Sequence, residues 1–179
     1  MKKNGVIILG SSRNNGNTAM IADEIAARTG FDIIDLSLLH IGAYDYQHKN
    51  RKDDFLPVIK KIVENYESLI FATPVYWYSM SGTMKIFFDR LTDCLQIEKE
   101  TGRKLRGKTM AMISCGSDAE IKPGFEMPFR ESANYLGMKY VGEIHTWVEN
   151  EKIPSKVESN ISFLVKRLAI PVESTACSN

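Results

Sequence analysis

The chain has 179 residues, 44% of them hydrophobic, and a formal net charge of +1. That length suits one domain with a sizeable core. The near-neutral balance argues against a broad nucleic-acid footprint, and no stretch approaches the ~20 apolar residues needed to span a bilayer.

The first element is a buried strand, Gly5 to Leu9. Lys2 and Lys3 precede it, but the apolar run is too short for a signal-peptide core and Gly10-Ser11-Ser12 breaks it. The next residues, Gly10 to Thr18, read G-S-S-R-N-N-G-N-T and lead into a helix from Thr18 to Arg28, stopped by Gly30. A second strand covers Phe31 to Leu36, followed by a mixed-polarity loop from Ser37 to Lys52. Asp53 or Asp54 caps a helix that runs to about Asn65, with Phe55, Ile59, Ile62 and Val63 at helical spacing. Ser68 to Thr73 is a third strand, and Pro74 to Ser79 an aromatic loop.

Ser81 to Leu95 reads as a helix with Met84, Phe87, Phe88 and Leu91 on one face. Glu98 to Gly107 is a polar connection, and Thr109 to Ser114 a fourth strand. Cys115 to Gly124 is a loop, Phe125 to Leu136 a helix ended by Gly137, and Lys139 to Val148 a fifth strand. Pro154 to Leu168 is a last helix. Residues 1–170 read as one domain, with Pro171 to Asn179 a frayed tail. Strands that alternate with helices imply an α/β fold with a mainly parallel sheet covered on both faces. Ligands of such sheets bind beyond the carboxyl ends of the strands, so the loops after the first, third and fourth strands are expected to converge.

The Gly10–Thr18 loop offers backbone amides, hydroxyls and the positive end of a helix dipole, the requirements for holding a phosphate. It is not a Walker loop, because five residues separate Gly10 from Gly16 and Asn17 stands where the lysine belongs. Nor is it a dinucleotide fingerprint, because Ser12 and Asn15 occupy glycine slots. One terminal phosphate monoester remains, with a simple turn as the alternative. In the aromatic loop, Tyr76, Trp77 and Tyr78 cannot all point inward, so at least one is expected at the rim. There it stacks on a flat ligand, or else the rings pack a core or a subunit interface. Ser114, Gly116 and Ser117 can donate to carbonyl oxygens of the same planar group. A phosphate joined to a planar heterocycle by a polar chain is flavin mononucleotide (FMN).

Other chemistry finds little support. Cys94, Cys115 and Cys177 have no C-x-x-C spacing, and Cys115 lacks a visible activating partner. His40, His48 and His145 are scattered, so no metal site is expected.

The sequence resembles the NAD(P)H-dependent FMN reductases and quinone reductases of the flavodoxin-like superfamily. The resemblance rests on Gly10–Thr18, on T-P-V-Y-W-Y-S-M-S-G-T-M-K-I-F-F-D-R at Thr73 to Arg90 and, more weakly, on S-C-G-S at Ser114 to Ser117. It implies a three-layer sandwich around a five-stranded parallel sheet of order 2-1-3-4-5. It implies that Ser11, Arg13, Asn17 and Thr18 surround the FMN phosphate, with Gly16 giving room. It further implies that Pro74, Val75, Tyr76 and Trp77 line the isoalloxazine, and that Ser114, Gly116 and Ser117 complete the pocket.

The implied activity is electron transfer from NADPH or NADH through FMN to a small acceptor: a quinone, flavin, azo or nitro compound. The flavin performs the chemistry, so no catalytic side chain is expected. The implied assembly is a homodimer or homotetramer. The unpaired cysteines and the absence of a signal-peptide core or apolar span are read as a soluble protein in a reducing compartment, hence a cytoplasmic location. An iron–sulfur branch carries cysteines after the second strand; Leu38 to Tyr46 contains none, which excludes a cluster there. Tyr44 and Tyr46 in that loop either overhang the flavin or cover the sheet edge. Arg13 faces the phosphate, a dinucleotide at the rim, or solvent. A flavodoxin-type carrier or a flavin redox sensor is the rival reading; carriers tend to be strongly acidic, and this chain is not.

Overall fold

The structure is a computed structural model that describes residues 3–169; the expected tail, Pro171 to Asn179, lies outside them. Five strands form one parallel sheet: β1 (Lys3–Leu9), β2 (Asp32–Asp35), β3 (Tyr66–Pro74), β4 (Thr109–Cys115) and β5 (Lys139–Thr146). Their order is β2-β1-β3-β4-β5, as expected. Among the described residues five helices lie between the strands, α1 (Asn17–Thr29), α2 (Phe55–Asn65), α3 (Gly82–Gln96), α4 (Lys99–Arg103) and α5 (Met127–Leu136), and α6 (Ser155–Ala169) follows β5.

The inner strands β1, β3 and β4 carry apolar runs because both faces of the sheet are buried there, while the edge strands β2 and β5 are only partly buried. Ile7, Ile70 and Ala111 lie in register and face α1 and α6, whose Ile21, Ile25, Val157 and Ile161 share their cluster. Val6, Ile8, Phe71 and Met112 face the other way, against Phe55, Ile59, Met84, Phe87 and Phe129 of α2, α3 and α5. Residues one apart on a strand thus serve opposite layers. Strand order reverses across β1 and β3, which opens a crevice at their carboxyl ends.

Several boundaries move. The connection expected from Glu98 to Gly107 contains α4. Its Gly102 packs so tightly on α3 that a Cβ there would lie 2.3 Å from the Cys94 carbonyl oxygen. The loop expected from Ser37 opens with a 3-10 turn, Leu36–Leu38, in which the Asp35 side chain accepts the Ser37 amide at 2.8 Å. At α2 the two candidate caps divide the work. Asp53 accepts the Phe55 amide at 3.0 Å, while Asp54 turns back to accept the His40 amide at 2.7 Å.

Candidate functional site

Three backbone bonds carry the sheet pattern into the three expected loops. Gly10 donates to the Ala72 carbonyl at 2.8 Å, Val75 to Cys115 at 2.9 Å and Gly116 to Thr146 at 2.9 Å. The loops therefore leave the strand ends side by side, as their sequences predict.

The first loop begins with a close approach. A Cβ on Gly10 would lie 2.9 Å from the Met84 Cβ, so only glycine lets β1 meet the start of α3. Gly16 then occupies the N-cap of α1, and no side chain caps that helix. Among the described residues, the first-turn amides of α1, those of Asn17, Thr18 and Ala19, have no protein acceptor. Unsatisfied amides at a helix start are an anion site. Ser11 and Thr18 bring buried hydroxyls to it, while Arg13 and Asn17 are exposed around it. Burial pushes the Cys115 thiol up, against the hydroxyls of Thr146 and Thr18, so this sulfur stays a protonated packing group.

The second loop is a two-residue turn closed by reciprocal bonds between Tyr76 and Ser79, at 2.9 and 3.0 Å. Its central residues, Trp77 (φ 49°) and Tyr78 (φ 63°), both lie in the left-handed region. Turns of that hand favour Asn and Gly, and two bulky aromatics there store roughly 1–2 kcal/mol each. The turn holds the rings outward: Trp77 is 92% and Tyr78 67% exposed. Tyr76 is anchored, its Oη 3.1 Å from Ser12 Oγ of the first loop. Below the turn, Thr73 Oγ1 donates to the Pro74 carbonyl at 3.1 Å and accepts the Ser81 amide at 3.0 Å.

The third loop is built differently from its expected role. Ser114 is fully buried, and its hydroxyl faces His145 Nδ1 at 2.8 Å rather than the crevice. Gly116 is half-buried and Ser117 exposed. Ser117 Oγ donates to Asp118 Oδ2 at 3.0 Å, and the Glu120 amide to Asp118 Oδ1 at 2.8 Å. The Glu120 amide, then Ser117, hold the Asp118 carboxyl below the usual carboxylate range.

The structure thus brings Ser11, Gly16, Asn17, Thr18, Pro74, Val75, Tyr76, Trp77, Gly116 and Ser117 to one end of the sheet, with Arg13 at the edge of the first loop. Tyr44 belongs elsewhere. Its hydroxyl donates to Gln96 Oε1 at 3.2 Å, and its ring meets Tyr46 edge-on. Gln96 ends α3, roughly 20 Å from Ser81 along the helix axis.

The sequence reading missed two groups. His145 sits against the third loop. Arg90, 1% exposed, pins the loop after β2: its guanidinium donates to Asp93 at 2.8 Å, to the Gly42 carbonyl at 2.9 Å and to Asp53. His48 closes the set on Asp93 at 3.0 Å.

A parallel sheet of order 2-1-3-4-5 with an anion-ready helix start and an aromatic turn over its carboxyl edge defines a flavodoxin-like α/β protein. Residues 4–152 match the family described as NADPH-dependent FMN reductase, and the chain belongs to that family. It is an FMN-dependent NAD(P)H oxidoreductase. A Bacillus subtilis (strain 168) relative, "Putative NAD(P)H-dependent FMN-containing oxidoreductase YwqN", is 29% identical over 150 residues, 77% of this chain and 81% of the relative. A solved Bacillus subtilis structure described as Trp repressor binding protein shares the fold. Its TM-score is 0.72 at 24% identity, over 94% of this chain and 99% of that one. General stress protein 14 from Treponema denticola, solved in complex with FMN, has a TM-score of 0.65 at 15% identity, over 93% and 99%. Among the described residues, no helix is long and apolar enough to cross a membrane.

Proposed function

We propose that residues 1–170 act as one FMN-binding unit. In it the Gly10–Thr18 loop holds the FMN phosphate, and the Pro74–Trp77 and Gly116–Ser117 segments flank the isoalloxazine. The observation that carries this reading is the uncapped start of α1: amides without acceptors beside the buried hydroxyls of Ser11 and Thr18. The donor set fits a phosphate monoester, with Arg13 the one full positive charge between Gly10 and Thr18. The exposed indole of Trp77 offers a face to a flat ring. Val75 and Gly116 spend their amides on Cys115 and Thr146, which leaves amides further along each loop for the ring's carbonyl edge.

FMN bound here supplies the hydride chemistry between a reduced nicotinamide and a small acceptor. The chain binds and orients: the first loop fixes the phosphate end, and Tyr76, tied to Ser12, sets where the aromatic turn stands relative to it. Ser114 has a different part from direct contact, because its hydroxyl is engaged by His145. We assign the acceptor to the quinone, flavin, azo or nitro class, and the setting to a cytoplasmic homodimer or homotetramer. Fluorescence titration of the apoprotein with FMN tests the site. Saturable quenching supports it, and unchanged flavin emission at high micromolar protein removes it. The carrier reading is disfavoured by the net charge of +1.

A further inference from the structure

We propose that His145 is a positioning residue for the loop that edges the flavin ring, acting through one bond from its Nε2–H to the Asp118 carbonyl. The inference rests on the flavin site described above.

The tautomer follows from the partners. Nε2 lies 2.9 Å from the Asp118 carbonyl oxygen, which can only accept, so Nε2 carries the proton. Nδ1 of the neutral ring then accepts the Ser114 hydroxyl at 2.8 Å. That hydroxyl's other acceptor, the Ile144 carbonyl, is 3.5 Å away, too far to compete. Both ring nitrogens are thus committed, one to the buried strand end and one to the exposed loop.

The ring is also braced. Trp147 stacks on it with centroids 6.3 Å apart and planes 28° apart. Gly116 meets it where a Cβ would come 2.9 Å from Cε1, so the glycine admits the imidazole. Asn160 of α6 donates to the His145 carbonyl at 3.3 Å, which fixes the backbone behind it. A tethered Asp118 carbonyl orients a planar peptide, and with it the Ala119 amide on the opposite side. Ser117 and Glu120 hold the Asp118 carboxylate at the same time. The segment from Gly116 to Glu120 is therefore tied to β5 twice, at its start by the Gly116 amide on the Thr146 carbonyl and at its middle by His145.

The test titrates FMN into the apo forms of the wild type, His145→Gln, His145→Asn and His145→Phe by flavin fluorescence. Glutamine keeps a donor near Nε2, asparagine keeps only an acceptor near Nδ1, and phenylalanine keeps only the ring. The Kd rises about tenfold in the Asn and Phe variants and stays within about threefold of wild type in the Gln variant. Should the Phe variant fail to fold, the Asn variant makes the same comparison. Gln as weak as Asn, or Asn and Phe as tight as wild type, overturns the assignment. Long-range nitrogen–proton NMR of the apoprotein gives a second reading: the Nε2–H tautomer is expected, and Nδ1–H overturns it. Wild-type protein that binds no FMN sinks the flavin site and this role together. Wild type that binds alongside unaffected variants sinks this role alone.

Discussion

The Ser81 hydroxyl donates to the Gly10 carbonyl and accepts the Met84 amide at 3.0 Å, so one buried side chain caps α3 and ties the first loop to the second. Neither job is replaceable by water, because Ser81 is 2% exposed. Ser81→Ala is expected to cost about 1–2 kcal/mol of stability, read by denaturant unfolding. It also weakens FMN binding, since Gly10 loses its tie. Ser81→Thr should recover most of both, and an Ala variant as stable as wild type would contradict the role.

Removal of phosphate-side donors should act on affinity more than on folding. Thr18→Val keeps the buried shape and deletes the hydroxyl; its FMN Kd is expected to rise about tenfold. The Asn17→Ala, Thr18→Ala double variant should reach about a hundredfold. Equal Kd values for wild type and double variant would move the phosphate elsewhere.

Asp53 and Arg90 predict an acid limb. Burial pushes the Asp53 carboxyl up, but hydrogen bonds from Arg90, Gly42 and Phe55 outweigh it and hold the group below its ordinary value. A depressed carboxyl stabilises the fold above the unfolded value, ~3.9, and loses that contribution as pH falls through the folded one. Asp53→Asn should therefore cost about 1.5–3 kcal/mol at neutral pH, because it removes one charge-assisted partner of the buried guanidinium while Asp93 keeps the other. Its stability should also fall less steeply than wild type below about pH 4. Parallel acid limbs in urea titrations would refute the pairing.

The turn at Trp77 and Tyr78 stores strain that glycine would release. Tyr78→Gly should raise apoprotein stability by about 1 kcal/mol, or about 2–4 °C in Tm. A lower Tm would mean that the exposed tyrosine ring makes contacts that outweigh its backbone cost.

Much of this was legible in the sequence, for physical reasons. Strands buried on both faces read as unbroken apolar runs, so Val6–Leu9 and Leu69–Ala72 declare themselves. The glycine, hydroxyl and aromatic content of the three loops marks them as unlike ordinary connectors. What escaped depends on partners far apart along the chain. Arg90 meets Asp53 across 37 positions, and His145 meets Ser114 and Asp118 across 31 and 27. No local period encodes such pairs. α4 escaped because K-E-T-G-R has no apolar stripe. The reading of Ser114 as a ligand contact rests on its place at a strand end and on the S-C-G-S resemblance, neither of which encodes that its hydroxyl meets a histidine on the neighbouring strand.

The most direct test is an anaerobic titration in which apoprotein takes up FMN and then meets NADPH or NADH, followed in the visible flavin band. One flavin bound per chain, bleached by one equivalent of reduced nicotinamide and restored by a quinone or azo acceptor, is the expected result. Protein that stays colourless in high micromolar FMN would contradict the site, and bound flavin that neither nucleotide bleaches would contradict the reaction.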